Sequence, residues 1–187
     1  MKFVEPIKDE QKIVNMYHIL KDNLERDALM FRVGLNTMLR ISDILRLKRG
    51  NFFDNDELRE YLRINAKKRN RRLKIPINSV LGNEIKEYCD MLHLDDDDYL
   101  FFSLRNPDHP IDRVQAWRIF NKAALECGIK HFGTHSIRKT AAVRVYNETK
   151  DLALIQQMLG HRSPSTTIRY LGLNQDSMDE AFRKYAF

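Results

Sequence analysis

Apolar residues return every three or four positions along most of this chain, a period that belongs to helices and restricts the fold to a mainly helical one. Ile13, Met16, Tyr17, Leu20 and Leu24 follow it, predicting a helix from Asp9 to about Arg26. A second helix is expected from Ala28 to about Met38. A third begins near Ser42-Asp43, with Ile44, Leu45 and Leu47 on its buried face and Ser42 or Asp43 as its cap. Later, Val114, Trp117, Ile119, Phe120 and Leu125 predict a helix from about Asp112, closed near Gly128. Helices over Thr134 to about Glu148, Asp151 to Leu159 (stopped by Gly160), Pro164 to about Leu171, and Asp176 to Tyr185 complete the series.

The helical period is interrupted once at length. Leu58 to Ala66 and Arg71 to Ile77 read as two strands of a hairpin around a basic turn, and Asn78 and Ser79 can cap a following helix that runs to about Leu92. Asp95 to Pro110 reads as loop, with a short extended piece at Tyr99-Leu100-Phe101-Phe102 and a solvated acidic turn at Asp95 to Asp98. The expected class is α+β, mainly α: a helical bundle with a small antiparallel β-sheet on one edge. At 187 residues the chain is long enough for one packed domain and short for two.

No apolar run approaches the roughly 20 residues that cross a bilayer. The opening Met1-Lys2-Phe3-Val4-Glu5-Pro6 has no apolar leader core, so a cytoplasmic protein without membrane contact is expected. Cys89 and Cys127 lack metal-site spacing and are expected as free thiols, with no metal and no cofactor. The formal charge of +6 suits a polyanionic partner. Its distribution says more, because Lys67-Lys68-Arg69-Asn70-Arg71-Arg72-Leu73-Lys74 packs six cations into eight residues.

The residues that can carry chemistry crowd the C-terminal half. His135 and Arg138 stand three apart at a helix start, on one face and near backbone N–H groups that favour an anion. Met158-Leu159-Gly160-His161 sets a histidine just past a glycine stop, and Tyr170 follows nine residues later. Arg40 sits at the junction of two predicted helices. Each feature alone is ordinary surface or packing. Together, two arginines, two histidines, a hairpin lysine and a tyrosine meet the needs of phosphoryl transfer without a metal. Arginine stabilises the charge developing on non-bridging oxygens, tyrosine attacks, and lysine or histidine moves the protons.

These residues resemble the tyrosine recombinase (phage integrase) family, from about Asp27 to Gly172 and in the family's order. Thr37 to Leu47 is similar to the first family box, which implies that Arg40 is the first phosphate-binding arginine. Ile64 to Pro76 resembles the family's lysine hairpin, implying Lys68 as general acid with Lys67 as the fallback. Thr134-His135-Ser136-Ile137-Arg138-Lys139-Thr140 resembles the second box, so His135 would be a base or phosphate ligand and Arg138 the second arginine. Leu159-Gly160-His161 is similar to the family's LGH, giving His161 a hydrogen bond to phosphate, and Ser165-Thr166-Thr167-Ile168-Arg169-Tyr170 supplies the nucleophile Tyr170. Three departures stand out. Met38 replaces the family's usual Gly, Asp43 replaces the commoner Glu, and only about 27 residues precede the match, so the N-terminal core-binding domain of most members is expected to be absent, in a naturally short member or a fragment of a longer one.

The resemblance implies a single catalytic domain over residues 1–187, with a helix and lead-in up to about residue 26 and a C-terminal docking helix over 173–187. It implies a site-specific recombinase that cuts and rejoins double-stranded DNA through a 3′-phosphotyrosyl link, without ATP or metal. Lys67, Arg69, Arg71, Arg72 and Lys139 would contact the DNA. The amphipathic tail, with Met178, Ala181, Phe182 and Tyr185 on one side, would dock on a neighbouring protomer in a tetramer. A type IB topoisomerase and a catalytically silent DNA-binding regulator on the same fold are the alternatives.

Overall fold

A computed structural model describes residues 4–66, 71–173 and 183–184. It opens with α1 (Glu10–Asn23), where Asp9 accepts a hydrogen bond from the Gln11 N–H at 2.9 Å, and continues with α2 (Glu25–Thr37). The break falls at Leu24, earlier than the apolar spacing implies. Leu24 is extended, its N–H closing the first helix on the Leu20 carbonyl. Arg26 therefore belongs to α2, where it is buried and bonded to Asp27 and to the Phe102 carbonyl at 2.7 Å.

Helix α2 ends at Met38, a non-glycine residue in the left-handed region (φ 51°). The short α3 (Ile41–Ile44) then starts with Arg40 as its N-cap and without a side-chain cap bond, so neither Ser42 nor Asp43 caps it. The turn is too tight for a capping side chain, because Leu39 and Ile41 on either side of Arg40 are drawn into the core.

Three two-stranded antiparallel sheets follow among the described residues, instead of one edge sheet. The first pairs β1 (Phe53–Asp54) with β2 (Glu57–Leu58). The expected hairpin pairs β3 (Tyr61–Ala66) with β4 (Arg71–Pro76), in register from Tyr61↔Pro76 to Ala66↔Arg71. Helix α4 (Ser79–Leu92) is capped by Asn78, which accepts from the Leu81 N–H at 2.9 Å. The stretch expected as loop holds a third hairpin, β5 (Phe102–Ser103) with β6 (Asn106–Pro110). It forms because Leu100 and Phe101 are wholly buried just before it and fix the chain against the core. The acidic turn is a clasp: Asp96 pairs with Arg49, which also holds Asp56, and Asp97 reaches Lys48 at 3.3 Å.

The remaining helices are α5 (Arg113–Glu126), α6 (Thr134–Thr149), α7 (Leu152–Leu159) and α8 (Pro164–Leu171). Helix α6 lies against α2 at Gly34, where a Cβ would stand 2.8 Å from Ile137 Cγ2. Residues 4–8 cross the outside of α6. There the Ile7 N–H donates to Thr140 Oγ1 at 2.7 Å and Ile7 is buried.

Two apolar clusters result. The larger one contains Met16, Leu29, Phe31, Phe52, Phe53, Phe101 and Phe120. A smaller one joins Met38, Ala141, Ala142, Ile155, Leu159 and Leu171, with Tyr170 packed against it. Full burial of each large side chain contributes roughly 1.5–3 kcal/mol. The fold is thus mainly α with small antiparallel sheets. Among the described residues no helix is long and apolar enough to cross a membrane. Of the tail expected as a helix over Asp176 to Tyr185, only Arg183 and Lys184 are described, and both are helical; the rest lies outside the described residues.

Candidate active site

Four helix ends meet beside the smaller cluster. Ser136 opens α6 by accepting the Gly133 N–H on its Oγ at 3.1 Å, and two residues on Arg138 points inward. Arg138 is 6% exposed and donates to the Leu159 carbonyl at 2.7 Å, tying α6 to the last turn of α7. That carbonyl is one of the orphans at a helix C-terminus, where a cation is favoured. Burial lowers the Arg138 pKa to about 10, with Arg40 adding to the fall and Tyr170 and Asp43 opposing it. The guanidinium is therefore still charged at neutral pH.

Tyr170 lies on α8 with its hydroxyl buried. The Arg138 guanidinium faces that hydroxyl outside the geometry of a full hydrogen bond. Burial pushes the phenol up to about 12, while Arg138 and Arg40 pull it down. Burial wins, and the phenol is neutral at physiological pH.

His161 follows Gly160, whose left-handed backbone (φ 66°) stops α7. The ring nitrogen Nδ1 stands 3.0 Å from Thr167 Oγ1, and the ring meets Tyr170 nearly at right angles. Arg40, Arg138, His161 and Tyr170 thus form one cluster, as their order in the chain implies. Asp43 joins it, buried and acting on Arg138 through its charge. In the sequence Asp43 is a helix-cap candidate and the acid of the first family box; its charge acting on Arg138 is what the fold adds.

The other expected site residues differ in their surroundings. His135 is exposed in the first turn of α6. Lys67, Lys68 and Arg69 lie outside the described residues, and Arg71 and Arg72 begin β4. Lys139, expected on DNA, is buried instead. It is 4% exposed and its ammonium donates to the Val4 carbonyl at 3.3 Å, with its pKa lowered by burial. The reason is angular: the residue after Arg138 in a helix faces about 100° away from it, here toward residues 4–8. Among the described residues no group of three or more His, Cys, Asp or Glu could hold a metal.

Known proteins share this architecture. The chain is 38% identical to the probable integrase/recombinase YoeC of Bacillus subtilis (strain 168), over 99% of this chain and 98% of that one. It is 28% identical to the tyrosine recombinase XerA of Pyrococcus furiosus over 94% of its own length, but spans only 60% of that relative. A crystal structure of XerA recombinase superposes with a TM-score of 0.74 at 23% identity, covering 100% of this chain and 66% of that one. A lambda integrase tetramer bound to a Holliday junction gives 0.69 at 17% identity, covering 91% and 49%. The family model described as "Phage integrase family" matches residues 8–176. With that match spanning nearly the whole chain, the protein belongs to the phage integrase family, the tyrosine recombinases.

Proposed function

We propose that the protein is a site-specific DNA recombinase that cleaves and rejoins duplex DNA through Tyr170. The observation that carries this reading is the pairing of one buried, neutral phenol with two arginines whose charges both act on it. A scissile phosphate between Arg40 and Arg138 would place its non-bridging oxygens on the guanidinium groups, which bind such oxygens bidentately. The Tyr170 oxygen attacks phosphorus, and its proton passes to a base, for which exposed His135 in the anion-favouring first turn of α6 is suited. The bond from phosphorus to the 5′-oxygen breaks, and Lys68 protonates the departing 5′-alkoxide. His161 donates a hydrogen bond to the phosphate. A 5′-hydroxyl then attacks the 3′-phosphotyrosyl link, expels the phenol and restores a phosphodiester. One bond is exchanged for another of similar energy, so no ATP is consumed.

The basic hairpin supplies backbone contacts through Lys67, Arg69, Arg71 and Arg72, while the C-terminal segment docks on a neighbouring copy in a DNA-bound tetramer. The lambda integrase tetramer on a Holliday junction supports that assembly by likeness of fold. A nicked suicide substrate tests the chemistry. The wild type should give a protein–DNA adduct on a denaturing gel, and Tyr170→Phe should give none. An adduct surviving in Tyr170→Phe removes Tyr170 from the role. Lys68→Ala should cleave poorly, yet recover on a substrate with sulfur at the 5′-bridging position, which leaves without a proton.

A further inference from the structure

We propose that Thr167 is a positioning residue that decides which ring nitrogen of His161 carries the proton. The inference rests on the reading of His161 as a donor to phosphate. The main chain of His161 is held on both sides by one residue: its N–H donates to the Gln156 carbonyl at 3.0 Å, and its carbonyl accepts from Gln156 Nε2 at 3.2 Å. With Gly160 fixing the approach, the imidazole keeps little freedom beyond its own torsions. Thr167, wholly buried one turn into α8, meets the ring at Nδ1.

The direction of that bond follows from what threonines do elsewhere in this chain. A helical threonine commonly turns its hydroxyl onto the carbonyl four residues back. Thr37 does so to Val33 at 2.6 Å, Thr140 to Ser136 at 2.8 Å and Thr149 to Val145 at 2.9 Å. Thr167 makes no such bond; its hydroxyl goes to His161. A buried hydroxyl proton must find an acceptor, or the cost is that of an unsatisfied buried donor. Here the acceptor is Nδ1, which must then offer its lone pair. Neutral imidazole carries one proton, so it resides on Nε2. Nε2–H is a hydrogen-bond donor, the form that a phosphate oxygen requires. Without the Thr167 hydroxyl, the proton is free to sit on Nδ1, and Nε2 would then present a lone pair to an anion.

The test uses protein labelled with ¹⁵N at histidine, in which imidazole nitrogens report directly whether they carry a proton. The His161 signals are assigned by their loss in His161→Asn. At a pH where the ring is neutral, the wild type should show bare Nδ1 and protonated Nε2. Thr167→Val, which keeps the shape and removes the hydroxyl, should populate the other tautomer. Thr167→Ser should keep the wild-type pattern. Adduct formation at saturating DNA should fall about tenfold in Thr167→Val, the scale of one hydrogen bond, and return in Thr167→Ser, with half-site affinity unchanged in both. A protonated Nδ1 in the wild type overturns the proposal. So does a Thr167→Val protein with the wild-type tautomer, or one with a changed tautomer and full activity. Failure of strand transfer itself would show separately, as an adduct that persists in Tyr170→Phe while the tautomer pattern stays as described.

Discussion

The rings of His161 and Tyr170 stand at 76° to one another with centroids 5.3 Å apart, so the residue just past the glycine stop of α7 touches the proposed nucleophile on α8. An edge contact of this kind contributes about 0.5–1.5 kcal/mol beyond area burial between aromatic pairs. It holds the phenol where two guanidinium charges act on it.

The alkaline titration of Tyr170 should be late. Its pKa rises from 10.0 to about 12 through burial, against the pull of Arg138 and Arg40. A folded-state pKa above the unfolded value means a stabilising contribution that is complete below pH 10 and lost as pH climbs toward 12. The ultraviolet tyrosinate signal of wild type minus Tyr170→Phe should therefore show no ionisation near 10 in the folded protein. A midpoint at the ordinary value would mean that the hydroxyl is solvated.

Met38 makes an unusual stability order testable. Its left-handed backbone costs a non-glycine residue about 1–2 kcal/mol, while its side chain is 5% exposed within the smaller cluster. Met38→Ala loses the packing and keeps the strain, for a loss of about 2–5 kcal/mol. Met38→Gly loses the packing and is relieved of the strain. Urea denaturation should rank the glycine variant above the alanine variant by about 1 kcal/mol, the reverse of their order inside a helix. An alanine variant as stable as the glycine one would show that the turn carries no strain.

How much of this was legible in the sequence depends on how local each cause is. Asp112, Asp151, Pro164, Gly128 and Gly160 punctuate the helices from α5 to α8 by their own backbone chemistry, and those boundaries read directly. The break at Leu24 has no breaker, because the apolar period runs straight through it. The β5–β6 hairpin follows from burial of Leu100 and Phe101 by distant elements, which no local pattern announces. At the site, Arg40, Arg138, His161 and Tyr170 were visible because phosphoryl transfer calls for those residue types. The part of Thr167 was not, since what it touches is set by tertiary contact, and Asp43 was named only through its place in the first family box. The burial of Lys139 was hidden for the same reason, its partner Val4 being far away in the chain.

Lys139 and the hairpin cations should separate in salt titrations. A phosphate contact adds about 0.9 to the slope of log affinity against log salt. Arg72→Ala should reduce the slope by about that much. Lys139→Met should leave the slope unchanged, because its ammonium is turned to the Val4 carbonyl. A reduced slope for Lys139→Met would show that residues 4–8 move aside on DNA.

Assembly is tested at Phe182, in the apolar stripe of the C-terminal segment. Phe182→Ala should bind one half-site normally but lose cooperative binding to a paired site in gel-shift titrations. Burying that ring against a neighbour is expected to contribute roughly 1.5–3 kcal/mol. Unchanged cooperativity with a lowered melting temperature would place the ring on its own domain.

The division of the apolar interior into a large cluster and a small one has an energetic meaning of its own. Helices α7 and α8 rest on the small one, through Ile155, Leu159 and Leu171, and Arg138 ties the end of α7 to α6 through the Leu159 carbonyl. Opening that flap exposes little of the interior that holds α1, α2 and α5 together, so it needs far less free energy than global unfolding. Amide protons there should exchange through this local opening while those of α2 wait for the whole domain. Earlier exchange in α7 and α8 than in α2 would place Tyr170 on the part of the molecule that yields first, where the burial that keeps its phenol neutral is undone without melting the fold.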